Sequence, residues 1–178
     1  MAERALEYRT QTSATSKASP EVVFDTIADL RNHLVWSGDR ASDETFKLLS
    51  LEPSAVIAEV GTTFFSSGAN YNGTFHDRSV VTTVSRPGTF VIETDAHLDR
   101  KHGRPWDAHF EHRYDIRPEG EGSRIRYTET IQRVNYVPYW LAPVVRSFFK
   151  VLVNQADRKQ LQNLARLAEE QPYAPGSA

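Results

Sequence analysis

Residues 106–133 spell a hairpin: WDAHFEHRYDI, a turn PEGEG, then SRIRYTETIQR. Both arms alternate strictly, the pattern of strands with one buried and one wet face. On the first arm Trp106, Ala108, Phe110, His112, Tyr114 and Ile116 share a face. Asp107, His109, Glu111, Arg113 and Asp115 share the other. On the second arm Ile125, Tyr127, Glu129 and Ile131 oppose Arg124, Arg126, Thr128, Thr130 and Gln132. With the turn centred between Gly120 and Glu121, Ile116 faces Ile125, Tyr114 faces Tyr127, and His112 faces Glu129. An apolar face that carries one imidazole and one carboxylate side by side points to a cavity with polar chemistry in it. A slip of one residue would exchange the faces and dissolve the pair.

The rest of the chain must cover that face. Leu6 to Ser16 alternates, is rich in Thr, and reads as a strand. Ser19-Pro20-Glu21 then starts a helix: Ser19 caps free amides, Pro20 suits the first turn, and Glu21 suits the positive end. Val22, Val23, Phe24, Ile27 and Leu30 form its apolar side, and a second short helical stretch runs from Asp29 through Trp36. Strands follow at Thr45 to Leu51, Gly61 to Ser67, Thr74 to Val84 and Thr89 to Leu98. The last of these sets Phe90, Ile92, Thr94, Ala96 and Leu98 on one face. The inward face of the strand over 74–84 is open, because the loop at Pro87-Gly88 can be even or odd.

The period then changes. Pro143 to Glu170 is helical, with Val145, Phe148, Leu152 and Ala156, then Leu161, Leu164, Ala165 and Ala168. At the usual rise it is roughly 42 Å long. Its first half is apolar almost all round, while its second half, with Asp157, Arg158, Lys159, Arg166, Glu169 and Glu170, is expected to be wetter. A sheet with one wet face buries its apolar face under this element. The expected fold is therefore α+β: a curved antiparallel sheet of about seven strands around a long C-terminal helix, with two short helices after the first strand. One domain spans 1–170, and 171–178 form a flexible tail.

Composition narrows the function classes. The chain has 178 residues, no cysteine and a formal net charge of −2. Disulfides and thiolate metal sites are excluded, and nothing in the charge favours nucleic acid. The N-terminus lacks an apolar signal core and no stretch is long enough to span a membrane, so a cytoplasmic location without integral membrane association is expected. No phosphate loop, nucleophile elbow or dinucleotide fingerprint occurs. Four histidines, His97, His102, His109 and His112, lie close in sequence, but His109 and His112 differ by an odd number and point to opposite faces. His97 and His109 are expected on the outer face near Asp95 and Asp107. No metal site and no cofactor are expected.

The chain resembles the START-like, helix-grip superfamily (SRPBCC), in its polyketide cyclase/dehydrase and lipid-transport branch. The resemblance rests on ASPEVVFDTIADLRNHLVW, VGTTF at Val60 to Phe64, VTTVSRPGTF at Val81 to Phe90, YDIRPEGEGSRIRYT at Tyr114 to Thr128, and the closing LQNLARLAEE. It implies a long helix lying across a curved sheet, with a hydrophobic small molecule, of lipid, polyketide or isoprenoid type, held between them. Such a fold hosts carriers, cyclases and interaction modules alike, so it does not choose between binding and turnover.

The candidate residues follow. His112 and Glu129 are the candidate acid/base pair, the carboxylate holding the imidazole tautomer and favouring its protonated form. Trp36, Phe90, Ile92, Trp106, Phe110, Tyr114, Tyr127, Trp140, Phe148 and Leu152 are candidate cavity walls. Tyr136, Tyr139 and Trp140 form a candidate gate. Ligand identity and oligomeric state are not written in the sequence.

Overall fold

A computed structural model describes residues 8–40, 46–134 and 142–171, with the side chains at 8, 133–134 and 142–154 outside the description. Trp140 and the gate residues Tyr136 and Tyr139 therefore lie outside the described residues, as does the tail beyond 171. So do the side chains of Phe148 and Leu152.

The strands are β1 (Tyr8–Ser16), β2 (Lys47–Pro53), β3 (Thr63–Asn70), β4 (Gly73–Ser85), β5 (Thr89–Arg100), β6 (Trp106–Glu119) and β7 (Gly122–Val134). They form one antiparallel seven-stranded sheet in the order β1-β7-β6-β5-β4-β3-β2. Strands β2 to β7 are a meander, each paired with its neighbour in sequence. Only β1 crosses over, to pair with the last strand, which makes β1 and β2 the two edges.

Between the edges runs the helical connection: α1 (Pro20–Ala28), α2 (Arg31–Leu34) and a π-helical turn (Val35–Asp39). Ser19 caps α1 by accepting from the Val22 amide, with Pro20 in the first turn and Glu21 beside it. Its buried face, Val23, Phe24 and Ile27, sets Phe24 edge-on to Phe90 of β5 at 5.9 Å. The π-helical turn approaches β2 so closely that a side chain at Gly38 would sit 2.7 Å from the Leu48 carbonyl oxygen. That approach seats the indole of Trp36 in the core.

Helix α3 (Ala142–Glu170) packs against β1, α1 and the π-helical turn. Leu161, Leu164, Ala165, Leu167 and Ala168 are buried there. Polar contacts fix its end: Ser16 Oγ donates to the Ala165 carbonyl at 3.1 Å, the Lys17 amide donates to Glu169, and Asn163 Nδ2 donates to the Arg40 carbonyl at 3.0 Å. The expected fold class holds: a helix-grip sheet closed by its C-terminal helix. Among the described residues no helix is long and apolar enough to cross a membrane.

The hairpin register is the expected one. Ile116 pairs with Ile125, Tyr114 with Tyr127 and His112 with Glu129. A bulge between His109 and Phe110 shifts the pairing only beyond that point. The face of β4 left open by the sequence is now fixed. Phe75, Asp77, Ser79 and Val81 point inward, opposite the exposed His76 and Arg78. A bulge between Val81 and Thr83 then changes the parity before the turn at Pro87, so the turn alone could not set it.

Candidate functional site

One row of inward-facing residues crosses most of the sheet. Thr10 pairs with Glu129, Glu129 with His112, His112 with Ile92, and Ile92 with Val81. The row thus begins polar and ends apolar. The next row toward the Gly120 turn is Thr12, Tyr127, Tyr114 and Phe90. The pleat brings neighbouring rows within reach of long side chains.

Within this patch His112 Nδ1 lies 2.7 Å from the Tyr127 hydroxyl and 3.7 Å from Glu129 Oε1. The phenol is therefore the first partner of the imidazole, with the carboxyl just beyond. The rings of His112 and Tyr127 lie nearly parallel, at an interplanar angle of 11°. Phe110 stacks on the opposite side of His112 at 5.8 Å, and Trp106 meets Phe110 edge-on at 6.1 Å. Tyr114 leans on Tyr127 at 4.9 Å and meets Trp36 edge-on at 6.5 Å. Trp36 in turn rests on the buried His33 at 4.9 Å. Phe90 and Ile92, both buried, are packed in the core behind these rings. Trp36, Trp106, Phe110, Tyr114 and Tyr127 thus form one continuous aromatic chain with His112.

The structure adds residues that the sequence reading left out. Asp157 projects from α3 and accepts a hydrogen bond from the Thr10 hydroxyl at 3.3 Å, placing a second carboxyl beside Glu129. Thr10 is itself buried. Asp157 was expected on the wet half of the helix. It instead stands four residues before Leu161 and seven before Leu164, in line with the buried stripe. That spacing was the available signal. His33 is a structural neighbour, its Nε2 lying 2.9 Å from the Ile27 carbonyl oxygen.

Burial decides the protonation states. Loss of water pushes the His112 imidazole down to about 4, with smaller contributions from His33 and His109. Loss of water likewise pushes Glu129 well above the usual carboxylate range, and the charge of Asp157 adds to it. Asp157 is raised for the same first reason, against the opposing hydrogen bond from Thr10. The two carboxyls titrate as one unit in which the first ionisation disfavours the second. Tyr127 is held well above its ordinary value, first by burial. The expectation that the carboxylate would favour protonated His112 is therefore reversed: burial disfavours the charged form of both groups, so the imidazole is held neutral near pH 7 and Glu129 is shifted toward its protonated form. The neutral phenol and the neutral imidazole share this one hydrogen bond, which either ring can donate.

The arrangement is a compact set of donors and acceptors framed by aromatic rings. It can bind a carbonyl or hydroxyl through hydrogen bonds. It also sets two titratable groups, Glu129 and His112, 3.7 Å apart.

The outer face is different in kind. His97 Nδ1 lies 2.6 Å from Asp107, and His109 Nδ1 lies 2.8 Å from Asp95. Each histidine pairs across strands with an aspartate rather than with the other histidine. The hydrogen bond to Asp107 raises His97 above its ordinary value. These are cross-strand contacts on the face of the sheet opposite the inner row.

Comparison with known proteins agrees with this architecture. An uncharacterized protein from Rhizobium leguminosarum is similar in structure with a TM-score of 0.65 and 13% identity, over 93% of this chain and 96% of that one. Ara h 8.0201 is similar with a TM-score of 0.61 and 11% identity, over 93% and 99% of the two chains. The ginseng major latex-like protein 151 from Panax ginseng follows with a TM-score of 0.59 and 6% identity, over 92% and 98%. At such identities the likeness is one of fold. A comparison with curated protein sequences finds no match. The family described as polyketide cyclase / dehydrase and lipid transport matches residues 8–169, nearly the whole domain including the row built around His112 and Glu129, and the chain belongs to that family.

Proposed function

We propose that the protein binds a hydrophobic or aromatic small molecule, of lipid, polyketide or isoprenoid type, between the sheet and α3. One observation carries this reading. Tyr127, His112, Glu129, Asp157 and Thr10 converge on the inner face, beside aromatic rings, from four different elements. A core that served packing alone would gain by replacing such groups with aliphatic ones, since buried polar atoms are costly to dehydrate. In this reading the aromatic chain holds the ligand body and the polar group of the ligand meets Tyr127, Nε2 of His112 and the carboxyl pair.

Native mass spectrometry of freshly purified protein, followed by organic extraction, tests it. The expected result is an apolar molecule that co-purifies with wild type and is lost or replaced in His112→Phe. Protein that carries no such molecule and binds no apolar probe contradicts the reading and favours an interaction module, which needs no interior guest.

A second reading has its own support. An imidazole that burial keeps neutral, 3.7 Å from a carboxyl that burial shifts toward its protonated form, offers a base and an acid, the two groups that an aldol cyclisation or dehydration requires. Turnover of the extracted molecule that stops in both His112→Phe and Glu129→Gln would make the protein an enzyme. Stoichiometric binding without product would make it a carrier.

A further inference from the structure

Among the described residues, two buried side-chain polar atoms lack a hydrogen-bond partner: Trp36 Nε1 and Asp77 Oδ1. An orphaned indole N–H is a modest cost, but an orphaned carboxyl oxygen is a large one. Asp77 lies on the inward face of β4, between Phe75 and Ser79. Its register neighbours on that face are Ser66 of β3 and Ala96 of β5. Neither is cationic, and across the sheet the same row continues to Ala108. Apart from the hydroxyls of Ser66 and Ser79, this end of the inner face is apolar: Phe75 and Leu98 are buried together, with Trp106 packed against them. Gly68 leaves room for this packing, since a side chain there would overlap the Phe75 ring.

This carboxyl is not part of the His112 site. Asp77 stands two strands and two inward rows away, on the order of 16 Å by strand geometry. Between the two lie Ile92, Phe110 and Thr94, the last hydrogen-bonded to Ser79 at 2.9 Å. The inner face therefore carries a titratable group toward each end, with Ile92, Phe110 and the self-paired Ser79–Thr94 hydroxyls between them.

Resting on the ligand-binding reading above, we infer that Asp77 is a second anchor, which accepts a hydrogen bond from a hydroxyl or amine at the far end of the bound molecule. The ligand class becomes narrower: an elongated apolar body with a polar group at each end. The far group is taken as a donor, since the unpartnered Oδ1 of an ionised carboxyl offers an acceptor and gains nothing from a ketone or ester. Desolvation raises Asp77 to about 7, against the backbone hydrogen bond from His97. Near neutral pH it can thus accept from an alcohol or ionise to pair with an ammonium. The Ser79–Thr94 hydroxyls, one row away, offer a relay for a slightly shorter guest.

The test uses the full chain and displacement of N-phenyl-1-naphthylamine by three chains of equal length: 1-dodecanol, 1,12-dodecanediol and 12-amino-1-dodecanol. Wild type is expected to favour the two-ended molecules over dodecanol, and Asp77→Leu to shift that ratio toward dodecanol by about tenfold or more. Asp77→Asn, which keeps an acceptor but no charge, should lose the preference for the amine and keep that for the diol. Thermal melting of each variant controls for the fold. Wild type that binds the probe and dodecanol, with a diol-to-dodecanol ratio unmoved by Asp77→Leu, overturns the Asp77 assignment alone. Wild type that binds neither overturns the ligand-binding reading, and the second anchor with it.

Discussion

At the scale of single residues, the site is governed by dehydration. Glu129 and Asp157 start from ordinary values of 4.5 and 3.8 in the unfolded chain and are both raised on folding. The sign follows directly. A group raised on folding stabilises the fold fully below its unfolded value, and that contribution is lost as pH rises through its folded value. The protein should therefore lose stability between mildly acidic pH and pH 8 through this pair. Glu129→Gln removes one member and should flatten the profile, gaining on wild type at pH 8 relative to pH 5. Urea unfolding at the two values checks this, and parallel profiles for wild type and variant would refute it. The Tyr127 hydroxyl plays a different part, holding Nδ1 of His112 at 2.7 Å. Tyr127→Phe should cost about 1–2 kcal/mol by leaving a buried imidazole nitrogen unsatisfied. The same substitution should weaken ligand binding, as equilibrium titration would show, because the His112 ring loses the hydrogen bond that holds its orientation.

At the scale of elements, the contributions are local and separable. Ser19→Ala removes the cap of α1 and should cost about 1 kcal/mol, read by chemical denaturation. Leu164, fully buried where α3 meets the rest of the core, is worth more: Leu164→Ala should cost about 2–5 kcal/mol by leaving a cavity. Legibility in the sequence follows the same division. The β6–β7 register could be read because a short turn fixes it and strict alternation marks the faces. The capped start of α1 and the long period of α3 were equally local. Thr10 was not readable as a neighbour of Glu129, since β1 and β7 stand at opposite ends of the chain. Asp157 was set among the wet residues by its charge, although its spacing from Leu161 placed it on the buried stripe. Asp77 was hidden because a bulge at Val81/Thr83 shifts the parity that would have revealed its face. Protonation states were missed for a physical reason too: sequence shows a carboxylate beside an imidazole, but only burial decides which keeps the proton.

At the scale of the whole molecule, the sheet and α3 are joined through groups that a ligand would also use. Thr10 belongs to the edge strand, Glu129 to its neighbour, and Asp157 to the helix that closes over both. A guest whose polar group meets this cluster would therefore tie the helix to the sheet, and bound protein should melt higher than empty protein by an amount that grows with ligand concentration. The central claim is that the guest sits on the inner row. Side-chain NMR during titration of N-phenyl-1-naphthylamine tests it most directly. The account predicts that the resonances of His112, Tyr127 and Thr10 shift together and saturate, while those of His97 and His109 on the outer face stay in place. Shifts confined to the outer face, with the His112 imidazole unmoved, would contradict it.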